Sequence, residues 1–294
     1  MKKKPETLRK IGLIANCDIA ASRGAVLRAA ALIARAGRTV LAVEETARMA
    51  GLRCATCASP SALARQAGLL LVFGGDGTLL NVVHEIHGSN TPILGINFGR
   101  LGFLTTATAG DLPAVLQKIW QKDYVIESRP LIEATGDCQG NPIQLRAFND
   151  IVISHGAVSR VIELDVQVDG QPLTRYRGDG LIVSSPAGST AYSLSAGGPI
   201  ISPDARVFAI TPICAHAVSN RSVIIDSGSA VRVKLLSRGL ETIISADGQL
   251  QAKLGADDAV TIRRSRYAAR LLHLRDTSFF AAVRQKLRWS GSSV

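Results

Sequence analysis

The residues best suited to chemistry lie in the stretch FGGDGTLL, Phe73 to Leu80, directly behind the apolar run Leu69-Leu70-Leu71-Val72. Glycines at 74, 75 and 77 let bare backbone N–H groups approach an anion with no Cβ in the way. A glycine-rich turn between a buried strand and a helix is where an α/β sheet holds phosphate. The order here is neither G-x-G-x-x-G nor a P-loop, which would need a Lys-Ser/Thr pair. Asp76 sits among these groups, and its charge would repel a bare phosphate. A carboxylate that takes the proton of a substrate hydroxyl, while phosphoryl oxygens rest on the adjacent N–H groups, reconciles the two. That is the chemistry of a small-molecule kinase. The plainer alternative is that Asp76 caps the helix beginning there.

Five other stretches have few structural excuses. Asn97-Phe98-Gly99-Arg100-Leu101-Gly102-Phe103-Leu104-Thr105 follows the next apolar run. Asn149-Asp150 precedes Ile151-Val152-Ile153, and Gly178-Asp179-Gly180 leads into Leu181-Ile182-Val183-Ser184. Gly188-Ser189-Thr190-Ala191-Tyr192-Ser193-Leu194-Ser195-Ala196-Gly197-Gly198 reads as a loop of small and hydroxyl residues. Asp247-Gly248-Gln249 closes a late strand. With these in view the chain resembles the NAD kinase family, which carries all six stretches in this order, over roughly residues 9–290. GGDGT is shared with lipid kinases, whereas GSTAYSLSAGG behind DGLIVS is far more specific.

The resemblance implies that ATP, or in some members polyphosphate, phosphorylates the adenosine ribose 2′-hydroxyl of NAD. It makes Asp76 the general base, beside Gly77 at the acceptor, with Gly74, Gly75, Gly77 and Thr78 forming the phosphate-donor turn. Asn149 and Asp150 would hold hydroxyls and amide of NAD; many members carry Glu where this chain has Asp150. Arg160 and Arg177 would lie near the dinucleotide with Asp179 beside them, and Gln249 would contact the nucleotide. Thr190, Ala191, Tyr192, Ser193, Leu194 and Ser195 match the adenosine-binding stretch. Read alone, Asn149-Asp150 is also a turn-forming pair and Tyr192 a candidate core tyrosine. A divalent cation, Mg²⁺, is implied by the triphosphate, and homo-oligomers, dimer or tetramer, by the family. Ala215 and Ser222 stand where the family tends to have proline.

These residues need elements to position them. Up to residue 122, short apolar runs alternate with helical patterns. Strands are expected at Ile11–Ala15, Thr39–Val43, Leu69–Phe73 and Pro92–Asn97. Helices are expected at Arg23–Ala36, Pro60–Ala67, Thr78–Ile86 and Asp111–Gln121, the last capped by its aspartate. Such alternation predicts a Rossmann-like parallel sheet. From Tyr124 to Arg266, β-branched runs bounded by turn residues predict a β-rich lobe, with a tight hairpin at Asp169-Gly170. The segment DTSFFAAVRQKLRW returns to helix, capped by Asp276 or Thr277, with Phe279, Phe280, Val283 and Leu287 on one face. The expected division is an α/β lobe of residues 1–122 joined by 269–294, and a β-rich lobe of residues 123–268.

The totals exclude several classes. A net charge of +11 invites nucleic acid, but residues 1–60 and 263–294 each carry +7 while the motif-bearing middle carries −3. Aromatic residues for base stacking make up only 4%. Five cysteines, at 17, 54, 57, 138 and 214, do not read as a disulfide framework, and Cys54-Ala-Thr-Cys57 lacks a second half for zinc. His84 and His87 share a helical face without a third metal ligand. No apolar run approaches the ~20 residues of a membrane span, and the apolar run of the basic start is too short for a signal peptide, so a soluble, cytoplasmic protein is expected. Two rivals remain: a GGDGT lipid kinase, which needs an apolar cleft or a membrane-facing helix, and a non-catalytic NAD(P)-binding regulator, which would not need Asp76.

Overall fold

A computed structural model describes residues 8–86, 88–99, 102–156, 160–217, 219–275 and 277–289. The chain divides into two compact units, residues 1–128 with 269–294, and residues 129–268.

The first unit opens with β1 (Lys10–Ala15), α1 (Ser22–Arg35), β2 (Thr39–Val43), α2 (Glu44–Ala50), β3 (Ala55–Cys57) and α3 (Pro60–Gln66). It continues with β4 (Leu69–Phe73), α4 (Asp76–Glu85), β5 (Ile93–Asn97), the two-residue β6 (Ala107–Thr108) and α5 (Leu112–Trp120). All five residues of β4 are fully buried. A continuous apolar run suits a strand covered on both faces, which is the condition of a parallel sheet. The sheet order is β5-β4-β1-β2-β3, with every one of these pairs parallel. The chain therefore builds outward from β1 to β3, then reverses and continues on the other side of β1 with β4.

Helix α1 buries Val26, Ala29 and Ile33, three- and four-residue steps along one face. Ser59 caps α3, accepting from the Ala62 N–H at 3.2 Å, and Pro60 opens it. Three elements, α2, β3 and β6, were not anticipated from the sequence. They have seven, three and two residues, too few for a periodic pattern to register. The expected cap at Asp111 is corrected. Asp111 occupies the N-cap position, but its carboxylate accepts from the Thr108 hydroxyl at 2.6 Å and makes no bond to the helix.

The second unit takes in most of β7 (Tyr124–Cys138), then β8 (Asn141–Ala147), β9 (Asp150–His155), β10 (Ile162–Val168), β11 (Gln171–Gly178) and β12 (Gly180–Ser184). The short helix α6 (Tyr192–Ser195) follows, then β13 (Val207–Ile213), β14 (Val223–Asp226), β15 (Val231–Leu235), β16 (Thr242–Ala246) and β17 (Gln249–Leu254). Strand β18 (Ala259–Leu274) leaves this unit at Ala269 and pairs Leu271 with Ile93 in the first. One antiparallel layer runs β11-β10-β15-β18 and the other β14-β13-β12-β9-β16-β17. Ile151, Ile153, Leu181, Phe208 and Ile244 of one layer share a core with Leu164, Val166, Val233 and Ile262 of the other. Asp169 and Gly170, with φ of 51° and 78°, form the expected tight β10–β11 turn.

The terminal helix α7 (Phe279–Leu287) is capped by Ser278, not by Thr277, whose hydroxyl instead donates to the Leu274 carbonyl at 2.7 Å. Asp276 lies outside the described residues, as does His87. Val283 is buried, whereas Phe280 is 62% exposed and does not share its face. All five cysteines are free thiols. Among the described residues no helix is long and apolar enough to cross a membrane. Because Leu71 sits fully buried at the centre of the parallel sheet, Leu71→Ala is expected to cost about 2–5 kcal/mol in urea unfolding, with the far-UV spectrum unchanged.

Candidate active site

Chemistry-bearing residues gather in two places, one in each unit. In the first unit, β4 ends at Phe73 and the chain turns through Gly74 and Gly75 into α4, whose first residue is Asp76. Thr78 lies over Gly74 so closely that a Cβ on residue 74 would overlap its hydroxyl. Beside Gly75 and Gly77 the space is open. The N–H groups of the first turn of α4 have no preceding carbonyls to serve, so they are available to an anion.

Asp76 does not cap its own helix; the N-cap position belongs to Gly75. Its carboxylate points instead at the segment after β5. Oδ2 accepts from the Phe103 N–H at 2.8 Å. Oδ1 accepts from the Leu104 N–H at 3.2 Å, the Thr105 N–H at 3.0 Å and the Thr105 hydroxyl at 3.0 Å. Thr105 Oγ1 in turn accepts from Asn97 Nδ2 and the Gly102 N–H. Gly102 is required here, because a Cβ on it would overlap the Asp76 carboxylate. Phe103, Leu104 and Thr105 belong to a stretch singled out in the sequence, yet spacing alone assigned them no partner. Arg100 and Leu101 lie outside the described residues.

In the second unit, Asp247 and Gly248 make the tight turn between β16 and β17, with φ of 51° and 76°. The Asp247 carboxylate reaches back to the start of β9. It accepts from the N–H groups of Phe148 at 2.7 Å, Asn149 at 2.7 Å and Asp150 at 3.1 Å. The Asp247 N–H donates to the Asp150 carbonyl at 3.0 Å. Ser185 completes the frame: its N–H donates to the Asn149 carbonyl and its hydroxyl to the Phe148 carbonyl. Gly188 packs on the Asn149 backbone, where any Cβ would collide.

The stretch expected to be a loop is two short helical turns, Ala187–Thr190 and α6. Ser193 is buried, its hydroxyl 3.2 Å from that of Thr211. Thr190, Ala191, Leu194 and Ser195 reach the surface in part or in full, and Tyr192 is 46% exposed, so it is not a core tyrosine. Gln249 begins β17 opposite Ala246, beside the Asp247 turn. The structure thus brings Asn149, Asp150, the 188–192 turn and the 247–249 turn together.

It does not bring Arg160, Arg177 and Asp179 to the same end. In the β9–β12 pair, Asp150 faces Ser184 while Ser154 faces Gly180. Asp179 adjoins Gly180, so it stands about four residues, ~13 Å, along the strands from Asp150. Its backbone pairs with His155 and Ile213 there, and it raises the pKa of the Cys214 thiol through a hydrogen bond. Arg160 lines a small cleft of about 140 Å³ with His155, Leu240 and Glu241. Arg177 is exposed on β11, its carbonyl accepting from the His216 N–H.

The chain matches the ATP-NAD kinase N-terminal domain over residues 58–124 and the ATP-NAD kinase C-terminal domain over residues 148–274. It is 38% identical over 285 residues to an NAD kinase of Moorella thermoacetica, covering 97% of this chain and 91% of that one. The chain belongs to the NAD kinase family. An NAD kinase of Syntrophotalea carbinolica is 40% identical over 222 residues, 75% of this chain and 78% of its own. The fold is that of a yeast NADH kinase complexed with NADH, at a TM-score of 0.89, 24% identity, 98% of this chain and 89% of that chain. An NAD kinase from Archaeoglobus fulgidus in complex with ATP superposes at a TM-score of 0.74 with 25% identity, over 96% of this chain and 100% of that one.

In this NAD kinase-family chain the most perturbed carboxyl is that of Asp150. Burial, and next the charge of Asp247, push it up to about 7. Opposite it on β12, the buried Ser184 hydroxyl has no partner among the described residues. A folded-state pKa raised above the usual carboxylate value means that folding favours the protonated form. Stability is then lost as pH rises from about 4 to about 7, and is flat above. Asp150→Asn removes that penalty. Its melting temperature is expected to exceed wild type at pH 8, with the gap closing as pH falls towards 4, read by scanning calorimetry. In the first unit, Gly102→Ala displaces the Asp76 carboxylate. It is expected to reduce phosphoryl transfer about as much as removing that carboxylate does, with the circular dichroism spectrum retained.

Proposed function

We propose that the chain transfers the terminal phosphoryl group of ATP to the adenosine ribose 2′-hydroxyl of NAD, giving NADP. The observation that carries this reading is the Asp76 carboxylate, held at the mouth of a glycine turn whose N–H groups suit phosphate. Among the described residues Oδ2 accepts a single bond, from Phe103, and so keeps an acceptor position for a substrate hydroxyl. As the 2′-oxygen bonds to the γ-phosphorus, the bond from phosphorus to the β-phosphate oxygen breaks and ADP leaves. The 2′-hydroxyl proton passes to Asp76. An ordinary carboxylate is a weak base, so it takes the proton late, and positioning supplies much of the rate.

Asn149, Asp150, Thr190, Ala191, Tyr192, Ser195 and Gln249 are the dinucleotide-facing group in this reading. The exposed Tyr192 ring offers a face to adenine, and the Asp247 clamp holds Asn149 and Asp150 for the polar edge of the ligand. Arg160, Arg177 and Asp179 belong to a more distant part of that surface. Gly74, Gly75, Gly77 and Thr78 receive the donor phosphates.

When bound, a divalent cation neutralises charge on the transferring phosphates. Among the described residues, no group of three or more His, Cys, Asp or Glu side chains is placed to hold a metal ion. Such a cation, Mg²⁺ in this reading, would come with the triphosphate. The family likeness also supports a homo-oligomer in the cytoplasm, testable by light scattering of the purified protein and by cell fractionation.

The test is NADP formation from NAD, ATP and Mg²⁺. Wild type is expected to turn over, and Asp76→Ala to lose about 10²–10⁴ in rate. Asp76→Asn keeps most of the brace without the base: its amide oxygen still accepts from Leu104 and Thr105, the Phe103 N–H loses its acceptor, and the amide takes no proton, so its rate should be as low as that of Ala. A near-wild-type rate for Asp76→Asn would remove the base. No NADP from ATP or polyphosphate, with NAD or NADH, would remove the kinase.

A further inference from the structure

A cleft of about 470 Å³ opens in the first unit at the carboxyl ends of β1 and β2. The sheet order reverses between β1 and β4, and ligands of doubly wound sheets bind outside the carboxyl ends of strands at such a reversal. The volume falls within the ~300–1,000 Å³ of small-molecule pockets. Ile14, Val43 and Val82 make an apolar floor, all of them buried. Thr78, on the wall, is the residue that covers Gly74, so the cleft runs directly into the phosphate-binding turn.

The rim decides what enters. Asp18, Glu44, Glu45 and Glu85 line the cleft, and among the described residues no lysine or arginine does. Cys17 lies between them, and burial, then Glu45 and Asp18, raise the pKa of its thiol. A polyphosphate chain is anionic along its whole length and would meet four carboxylates with no cation to offset them. The nucleoside end of a triphosphate is uncharged. Its amino and hydroxyl groups donate hydrogen bonds, which carboxylates accept, and its base suits the apolar floor.

Resting on the kinase reading above, we infer that this cleft takes the nucleoside end of the phosphoryl donor and that its acidic rim excludes polyphosphate, making the enzyme selective for nucleoside triphosphates.

The experiment compares Mg-ATP with long-chain polyphosphate as donors to NAD, measuring NADP. It also titrates a fluorescent N-methylanthraniloyl ATP in the absence of NAD. Polyphosphate is expected to give a kcat/KM at least about tenfold below that of ATP. Cys17→Trp, which fills the cleft, should raise KM for ATP at least about tenfold and KM for NAD less than about twofold, with a matching loss of the fluorescent nucleotide. The exposed rim offers a second variant that need not disturb the core: Asp18→Asn, Glu44→Gln, Glu45→Gln and Glu85→Gln combined. It should weaken ATP and improve polyphosphate together, a reciprocal change that a fold defect would not give. Polyphosphate used as well as ATP by wild type, or a combined variant that moves neither donor, overturns the inference while leaving the kinase standing. No NADP from either donor overturns the kinase reading itself.

Discussion

A carboxylate gripped by successive backbone N–H groups is the interaction on which the residue cluster in each unit depends. Asp76 gathers the amides of residues 103–105, and Asp247 gathers those of residues 148–150. Hydrogen bonds to an ionised acceptor are roughly twice as strong as neutral ones. Each clamp therefore fixes a loop that would otherwise carry exposed backbone donors. The acid of GGDGT consequently has a structural duty beside the chemical one proposed for it, and the two do not compete: the bonds that fix its position leave Oδ2 able to accept again.

Such clamps require backbone to come close, and glycine is the residue that permits it. Gly102 lies against the Asp76 carboxylate and Gly188 against the Asn149 backbone, and neither site has room for a Cβ. Gly75 and Gly77 serve differently. Nothing crowds them, so their smallness leaves open space instead of seating a neighbouring group. One residue type thus does two jobs in this chain.

Charge is distributed by purpose as well. The basic excess lies near the chain ends, much of it in solvated arginines such as Arg263, Arg275, Arg284 and Arg288. The sites themselves are governed by carboxylates. Asp150 is buried beside Asp247 and so titrates near neutrality, while the rim of the β1–β2 cleft is acidic and open to water. Burial raises the cost of charge, and exposure to water lowers it.

Much was legible in the sequence for local reasons. The apolar run Leu69–Phe73 announced a doubly covered strand, and Asp169-Gly170 announced a tight turn, because hydrophobic periodicity and turn chemistry are properties of neighbouring residues. The glycines and acid of Gly74–Thr78 pointed to phosphate chemistry by residue type and spacing, the role proposed for them above. The helix α2 and strand β3 escaped, being shorter than any period they could display. Only tertiary structure decided that Asp76 holds residues 103–105 instead of capping α4. It alone gave Asp247, 97 residues from Asp150, its place under the start of β9, and set Asp179 at the far end of the β9–β12 pair. Each of these depends on strand register and turn placement between segments distant in the chain. The spacing of residues along a sequence carries no record of which strand lies opposite.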